Sequence, residues 1–194
     1  MSIPKYYESE DAFERIHHEL KQIPCPFCRL IGCLILHGFL SGYSDTNGTD
    51  KVRRGHRIFC SNRKRRKGCG RTCSILLARF ITHMIVTAHT LWHFFKGVAV
   101  LGCKAKAMRS ASMCASQSAP YNLWRRLRAN VPHIRTTLLK ITDPPHTAST
   151  IAEVQTILHL DHAFPGSPNP VIDFQFHFQT SLFAYLPPQS GLLA

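Results

Sequence analysis

Apolar residues recur along this chain in two rhythms, and the change from one to the other divides it. Within residues 1–23, Phe13, Ile16 and Leu20 repeat at helical spacing. Ser9 stands at the N-cap position, Glu10 and Asp11 fall in the first turn, and Lys21 comes last, as the helix dipole favours. Pro24 ends this helix. Short strands are then expected. Leu30 to Leu36 is apolar and bracketed by Gly32 and Gly38, Tyr43 to Asp50 is rich in turn residues, and Val52 to Phe59 returns with basic residues alternating. A ribbon of two or three strands follows, too small to stand without a metal.

Beyond residue 74 the helical rhythm resumes. Ile75, Leu76, Phe80, Met84, Leu91, Trp92, Phe95 and Val98 predict a helix over 75–101, broken near Thr87. Lys104 to Ala111 predicts a second helix, with Ser112 to Pro120 as its connection onward. A third is capped by Ser116 or Ser118, has Pro120 in its first turn, and carries Tyr121, Leu123, Trp124 and Leu127 inward. Residues 131–142 continue helically until Asp143-Pro144-Pro145. Thr147 to His162 predicts another helix. In 171–186, Phe174, Phe176 and Phe178 alternate with polar residues, predicting a strand with an aromatic face, a terminal helix being the alternative. The expected class is α+β: an N-terminal helix (1–23), a small β zinc ribbon (24–74), a mainly helical, helix-turn-helix-like domain (75–142), and a C-terminal helix with an aromatic tail (143–194).

The cysteines sharpen this outline. Cys25-Pro26-Phe27-Cys28 opens the ribbon; Arg57-Ile58-Phe59-Cys60 and Cys69-Gly70-Arg71-Thr72-Cys73 close it. Two cysteine turns about thirty residues apart around a hairpin predict a tetrahedral zinc site at Cys25, Cys28, Cys60 and Cys69. A knuckle ordinarily has two residues between ligands, whereas eight separate Cys60 from Cys69. The second pair is therefore either Cys60 with Cys69, which is preferred, or Cys69 with Cys73. Cys33 lies in an apolar run and reads as a small hydrophobe. His37 is a weaker ligand candidate, and His89 and His93 share a helical face without an evident third ligand.

Charge points to the partner. The 194 residues carry a formal charge of +13, and 20 of 24 Lys/Arg lie between Lys51 and Thr142, where no Asp or Glu occurs. A block free of negative charge approaches phosphate without local repulsion, and counterion release drives association. Arg53, Arg54, Arg57, Arg63, Lys64, Arg65, Arg66, Lys67 and Arg71 on the ribbon are expected to meet DNA. Arg125, Arg126 and Arg128 surround the polar side of the third helix, where a helix-turn-helix would place its major-groove reader. Met1 to Glu14 is acidic and polar rather than basic then apolar, so no secretory signal is expected. Arg79, His83, His89, His93 and Lys96 interrupt the longest apolar stretch, and no membrane span is expected. The expected location is the cytoplasm, on the nucleoid.

The strings Cys25-Pro-Phe-Cys28, Leu34-Ile-Leu-His37-Gly38, Arg57-Ile-Phe-Cys60 and Cys69-Gly-Arg-Thr72 resemble the zinc ribbon that precedes a helix-turn-helix in bacterial insertion-sequence transposases. The resemblance covers 25–74 well and 75–142 more loosely. It implies that Cys25, Cys28, Cys60 and Cys69 are zinc ligands, and that Cys73 occupies a position the family gives to an aromatic residue. Those transposases continue into a catalytic domain of well over a hundred residues, whereas 52 residues follow Thr142 here. The expectation is a non-catalytic, zinc-dependent protein that binds double-stranded DNA, alone, as a homodimer or with a transposase, and targets mobile-element DNA or regulates transcription. Two alternatives stand beside it. One is a metal-dependent nuclease or recombinase fragment using His159, Asp161, His162 and Asp173; the other is an RNA-binding zinc ribbon.

Overall fold

In the computed structural model, which describes residues 2–45, 48–63, 65–112, 116, 118–146 and 149–184, four strands and six helices build two adjoining cores. The first helix starts as its cap dictates. Ser9 is extended (φ −145°, ψ 165°) and its Oγ accepts the Ala12 N–H at 3.2 Å, so α1 runs over Glu10–Glu19. Phe13 lies flat on buried His56, ring centroids 3.4 Å apart, and the His56 Nε2 sits 3.0 Å from the Glu10 carboxylate.

The sheet is larger than the ribbon expected from sequence. β1 (Tyr6–Tyr7), β2 (Leu34–Tyr43), β3 (Lys51–Cys60) and β4 (Thr72–Leu77) lie in the order β1-β4-β3-β2. β3 pairs antiparallel with β2 (Ile35↔Phe59) and with β4 (Ile58↔Cys73), while β1 joins β4 in parallel (Tyr6↔Leu76). Residues 75–77, expected to open a helix, are therefore strand. Ile75 and Leu77 alternate inward beside Ile58 and Leu34, and a short apolar run has no period that separates a buried strand from a helix. Tyr7, Phe13, Leu20 and Ile23 complete this core, so the N-terminal segment is part of the ribbon unit rather than an appendage.

Residues 78–87, also expected to be helical, form turns and bends, and the helical unit begins only at Thr87, where a break was expected. Thr87 caps α2 (Ala88–Leu101), accepting the Thr90 N–H, and Gly102 closes it in the left-handed region at φ 64°. α3 (Lys104–Ser110) follows closely: a Cβ on Gly97 of α2 would stand 3.0 Å from the Ala107 Cβ. α4 (Ala119–Leu138) joins the two segments expected on either side of residue 130 into one twenty-residue helix with Pro132 inside it. α5 (Ala152–Ala163) covers most of the predicted 147–162 helix; positions 147 and 148 lie outside the described residues.

The aromatic strand over 171–186 is overturned, and its helical alternative holds. Asn169 Oδ1 accepts the N–H groups of Val171 and Ile172, and Pro170 occupies the first turn of α6 (Pro170–Phe178). Phe174 and Phe178, four apart, meet at 5.1 Å, so the period of two in the phenylalanines was incidental to a helical face. Residues 185 and 186 lie outside the described residues. Ile157, Leu160, Val171, Phe174 and Phe183 fill the same core as Leu91, Phe95, Leu123 and Leu127, so 152–184 completes the helical unit.

Polar ties join the two units. Gln175 donates to the carbonyls of Ala78 (2.6 Å) and Phe80 (3.1 Å), and Gln179 accepts from the Lys5 and Tyr6 N–H groups. Asp45, in the β2–β3 turn, accepts from Thr87 N and Thr90 Oγ1 at the head of α2. Those bonds hold its carboxyl below the ordinary value against the opposing effect of burial. No helix among the described residues is long and apolar enough to cross a membrane.

Candidate metal centre and basic loop

Two loops at one end of the sheet bring four sulfurs together. The Sγ atoms of Cys25, Cys28, Cys60 and Cys69 all lie within 4.8 Å of one another. Cys25 and Cys69 are 3.8 Å apart, Cys28 and Cys60 3.7 Å. A tetrahedron of four sulfurs, each about 2.3 Å from a central zinc, has edges of about 3.8 Å. A disulfide would need about 2.05 Å, and every described cysteine is free. The spacing and the all-thiolate donor set therefore suit a tetrahedral metal ion. Among the described residues this is the only cluster of three or more metal-ligating side chains.

The two loops share a backbone frame, and their N–H···Sγ donors differ by one position. In the first, the Phe27 N–H donates to Cys25 Sγ (3.4 Å), Arg29 N–H to the Cys25 carbonyl (2.9 Å), and Cys25 N–H to the Leu30 carbonyl (3.0 Å). In the second, Cys69 N–H donates to Cys60 Sγ (3.3 Å), Gly70 N–H to the Cys60 carbonyl (2.9 Å), and Cys60 N–H to the Arg71 carbonyl (2.9 Å). Arg29 and Gly70 occupy equivalent left-handed positions, at φ 63° and 73°. The eight-residue gap has a simple resolution. Gly68 N–H bonds the Ser61 carbonyl at 3.1 Å, so Ser61 and Gly68 take the places of Pro26 and Phe27, and the described residues between them, 62, 63 and 65–67, loop out.

Gly68 is required for this closure. A Cβ there would meet the Ser61 carbonyl oxygen at 2.3 Å, a backbone atom that cannot swing aside. Gly68→Ala should therefore destabilise the ribbon by about 1–3 kcal/mol, the usual cost of forced overpacking. Urea unfolding of the metal-loaded chain, followed by far-UV circular dichroism, measures it.

Burial sorts the thiols. Desolvation pushes the Cys60 thiol well above its ordinary pKa, while a backbone hydrogen bond at Leu30 and the neighbouring cysteines draw Cys28 below it. Cys73 projects from β4 into the ribbon core, and burial raises its thiol too. It stands outside the sulfur cluster, as do Cys33 and exposed His37. His89 and His93, exposed on α2 with rings 4.5 Å apart, have no third ligand among the described residues.

The basic candidates fall into three places. Arg63, Arg65, Arg66, Lys67 and Arg71 are exposed beside the sulfurs, with Arg57 exposed further along β3; Lys64 lies outside the described residues. Arg63 and Arg71 rest over the rings of Phe59 and Phe27, at 5.6 and 5.4 Å. At the far end of β3 the arginines are committed. Arg53 covers Phe39 at 3.9 Å and lies 3.8 Å from the Glu10 carboxylate. Arg54 donates to the carbonyls of Tyr43, Met84 and Ile85, binding the sheet to the segment before α2. On α4, Arg125 is exposed, Arg126 turns a buried, unpartnered nitrogen inward, and Arg128 Nε holds Glu153 at 2.5 Å. The twelve expected DNA contacts are thus not one surface: the metal end gathers the freest of them, and α4 lies apart, packed on α3 and α5.

Sequence reasoning passed over two neighbours of this end. Lys21 donates to the Leu34 carbonyl at 2.7 Å, and its ammonium is depressed first by burial and then by the Arg66 charge. Arg29 is exposed on the first knuckle. Both precede the acid-free block, so counting charge by block missed them; their nearness to Pro24–Cys28 was the available signal. The nuclease candidates do not converge among the described residues. His159 is buried and bonded to the Thr142 carbonyl (3.0 Å), Asp161 and His162 are exposed on α5, and Asp173 sits on α6.

Comparison with protein-family models, with curated proteins and with solved structures found no match to this chain.

Proposed function

We propose that this chain is a non-catalytic, zinc-dependent DNA-binding protein, related to the ribbon-bearing N-terminal regions of insertion-sequence transposases. The observation that carries this reading is the position of the cationic loop, held at both ends by residues next to the thiolates that would bind zinc. An ion with four thiolates fixes Ser61 and Gly68, and the segment between them carries five Lys and Arg residues, of which Arg63, Arg65, Arg66 and Lys67 are exposed. Such an array meets phosphates without reading sequence. Arg125 is the α4 residue most free to reach a base edge, in keeping with a helix-turn-helix reader, where bidentate arginine contacts select guanine. Targeting of mobile-element DNA or regulation of transcription follows from binding without catalysis.

Zinc is favoured over other ions because a closed set of four cysteines at tetrahedral spacing is its characteristic structural site. Stripping the metal with a chelator should abolish duplex binding measured by fluorescence anisotropy, and zinc, but not magnesium, should restore it. Equal affinity in the stripped and loaded states would refute the reading.

A further inference from the structure

One aromatic ring at the metal end is left outside both hydrophobic cores. Phe27 lies between two sulfur ligands, yet it is 46 % exposed and belongs to neither hydrophobic core. Its backbone N–H donates to Cys25 Sγ at 3.4 Å, so the ring stands on the hydrogen-bonded knuckle itself. Arg71 lies over it at 5.4 Å. Leu30 and Ile31, just beyond the knuckle, are 40 % and 63 % exposed. Beside Phe27 opens a recess of about 500 Å³ walled by Pro26, Ser74, Leu76, Thr82 and Ser181. Around the same end stand Arg29, Arg63, Arg65, Arg66 and Lys67.

An exposed ring on a hydrogen-bonded knuckle among exposed cations suits one class of polyanion better than others. In a duplex the base faces are stacked on one another, and a surface phenylalanine gains nothing from the phosphates outside. In an unpaired strand each base offers a free face, and a ring among cations gains from stacking while the cations follow the backbone. We propose that the first knuckle is a stacking platform for an unpaired nucleotide, with Phe27 against the base and Arg71 and the 62–67 loop along the phosphates. This inference rests on the nucleic-acid reading above and narrows it: the chain engages frayed, tailed or single-stranded substrate at its metal end.

The test uses the zinc-loaded full chain and four probes: oligothymidylate, oligouridylate, an abasic strand with the same number of phosphates, and a blunt duplex. The base-bearing strands should bind more tightly than the abasic strand by roughly 5- to 150-fold, the range for one stacked base. Comparison of thymidylate with uridylate tells whether DNA or RNA is the better source of that base. Phe27→Ala, at full zinc occupancy, should erase this margin and leave abasic and duplex affinities within about two-fold of wild type. Phe27→Trp should keep the margin and add an indole whose emission base-bearing strands quench; the native Trp92 and Trp124 are buried and supply no such signal. Equal binding of abasic and base-bearing strands, or a margin that survives Phe27→Ala, overturns the inference and turns attention to an apolar protein partner for Phe27. If the duplex still binds in that case, the DNA-binding reading stands without it; if no probe binds, both fall.

Discussion

Cys69→Ser should empty the metal centre and melt the cysteine end of the sheet, whereas Cys73→Ser should leave the metal bound. The two residues are four apart and both lie near the sulfur cluster, but only Cys69 belongs to it. Its loss removes one corner of the tetrahedron and frees Gly68, Gly70 and the Cys60 turn from the ion. Structural zinc supplies an apparent ~10–16 kcal/mol to small ribbons, so removal of one thiolate withdraws a large part of what holds residues 60–71 to residues 25–30. Cys25 and Cys60 share their core with Tyr7, Phe13, Ile58 and Ile75, which are not ligands, so the core should loosen at the sulfur end while some helix and strand signal persists. Cys73 sits on β4 opposite Ile58, and a serine there exchanges a partly buried sulfur for a hydroxyl at a cost of about 1–3 kcal/mol. Metal content per chain by atomic emission, with thermal melts followed by circular dichroism, separates the two variants. Metal retained by Cys69→Ser and lost by Cys73→Ser would reverse the ligand assignment.

The second large effect follows from the resolved gap. Because Ser61 and Gly68 already hydrogen-bond across the base of the loop, deletion of residues 62–67 joins them directly and yields a Cys60-Ser-Gly-Cys knuckle of ordinary length. The deletion also removes the five cations Arg63, Lys64, Arg65, Arg66 and Lys67, of which the four described ones are exposed. The shortened chain is therefore expected to bind one zinc and to melt within a few degrees of the parent, while its affinity for any polynucleotide collapses at physiological salt. Separating folding from binding in this way is the opposite of what a structural role for the loop predicts, since loss of a structural loop would lower stability and metal content together.

The sulfur cluster was legible in the sequence because its logic is local: two residues between Cys25 and Cys28, a hairpin, and a matching string at Cys60 and Cys69. The insert was legible as basic but not as an excursion from a regular knuckle, since the Ser61–Gly68 bond that closes it links residues seven apart. The first helix start was legible because Ser9 caps it, whereas Thr87, the cap of α2, read only as a break within a longer helix. Residues 75–77 were misassigned because three apolar residues in a row suit a buried strand and a helix equally. β1 supplied the hidden half of that answer: two tyrosines far away in sequence take up the free edge of β4. Phe174, Phe176 and Phe178 misled through composition, because an alternation confined to aromatics outweighed the Asn169-Pro170 helix start beside it. The arginines show the sharpest limit. Nothing in their sequence neighbourhood separates Arg54, spent on three carbonyls, from Arg57, which is exposed; the distinction arises only when the segment before α2 folds over the sheet.

The salt dependence of duplex binding, measured in parallel for the metal-loaded parent and the chain lacking residues 62–67, tests most directly whether the metal-tethered loop is the nucleic-acid contact. Each phosphate neutralised adds about 0.9 to the slope of log affinity against log salt, so losing five cations should reduce that slope by up to about 4.5. A shallow slope and weak binding are expected in a shortened chain that still holds its metal. An unchanged slope and affinity at full zinc occupancy would contradict this expectation.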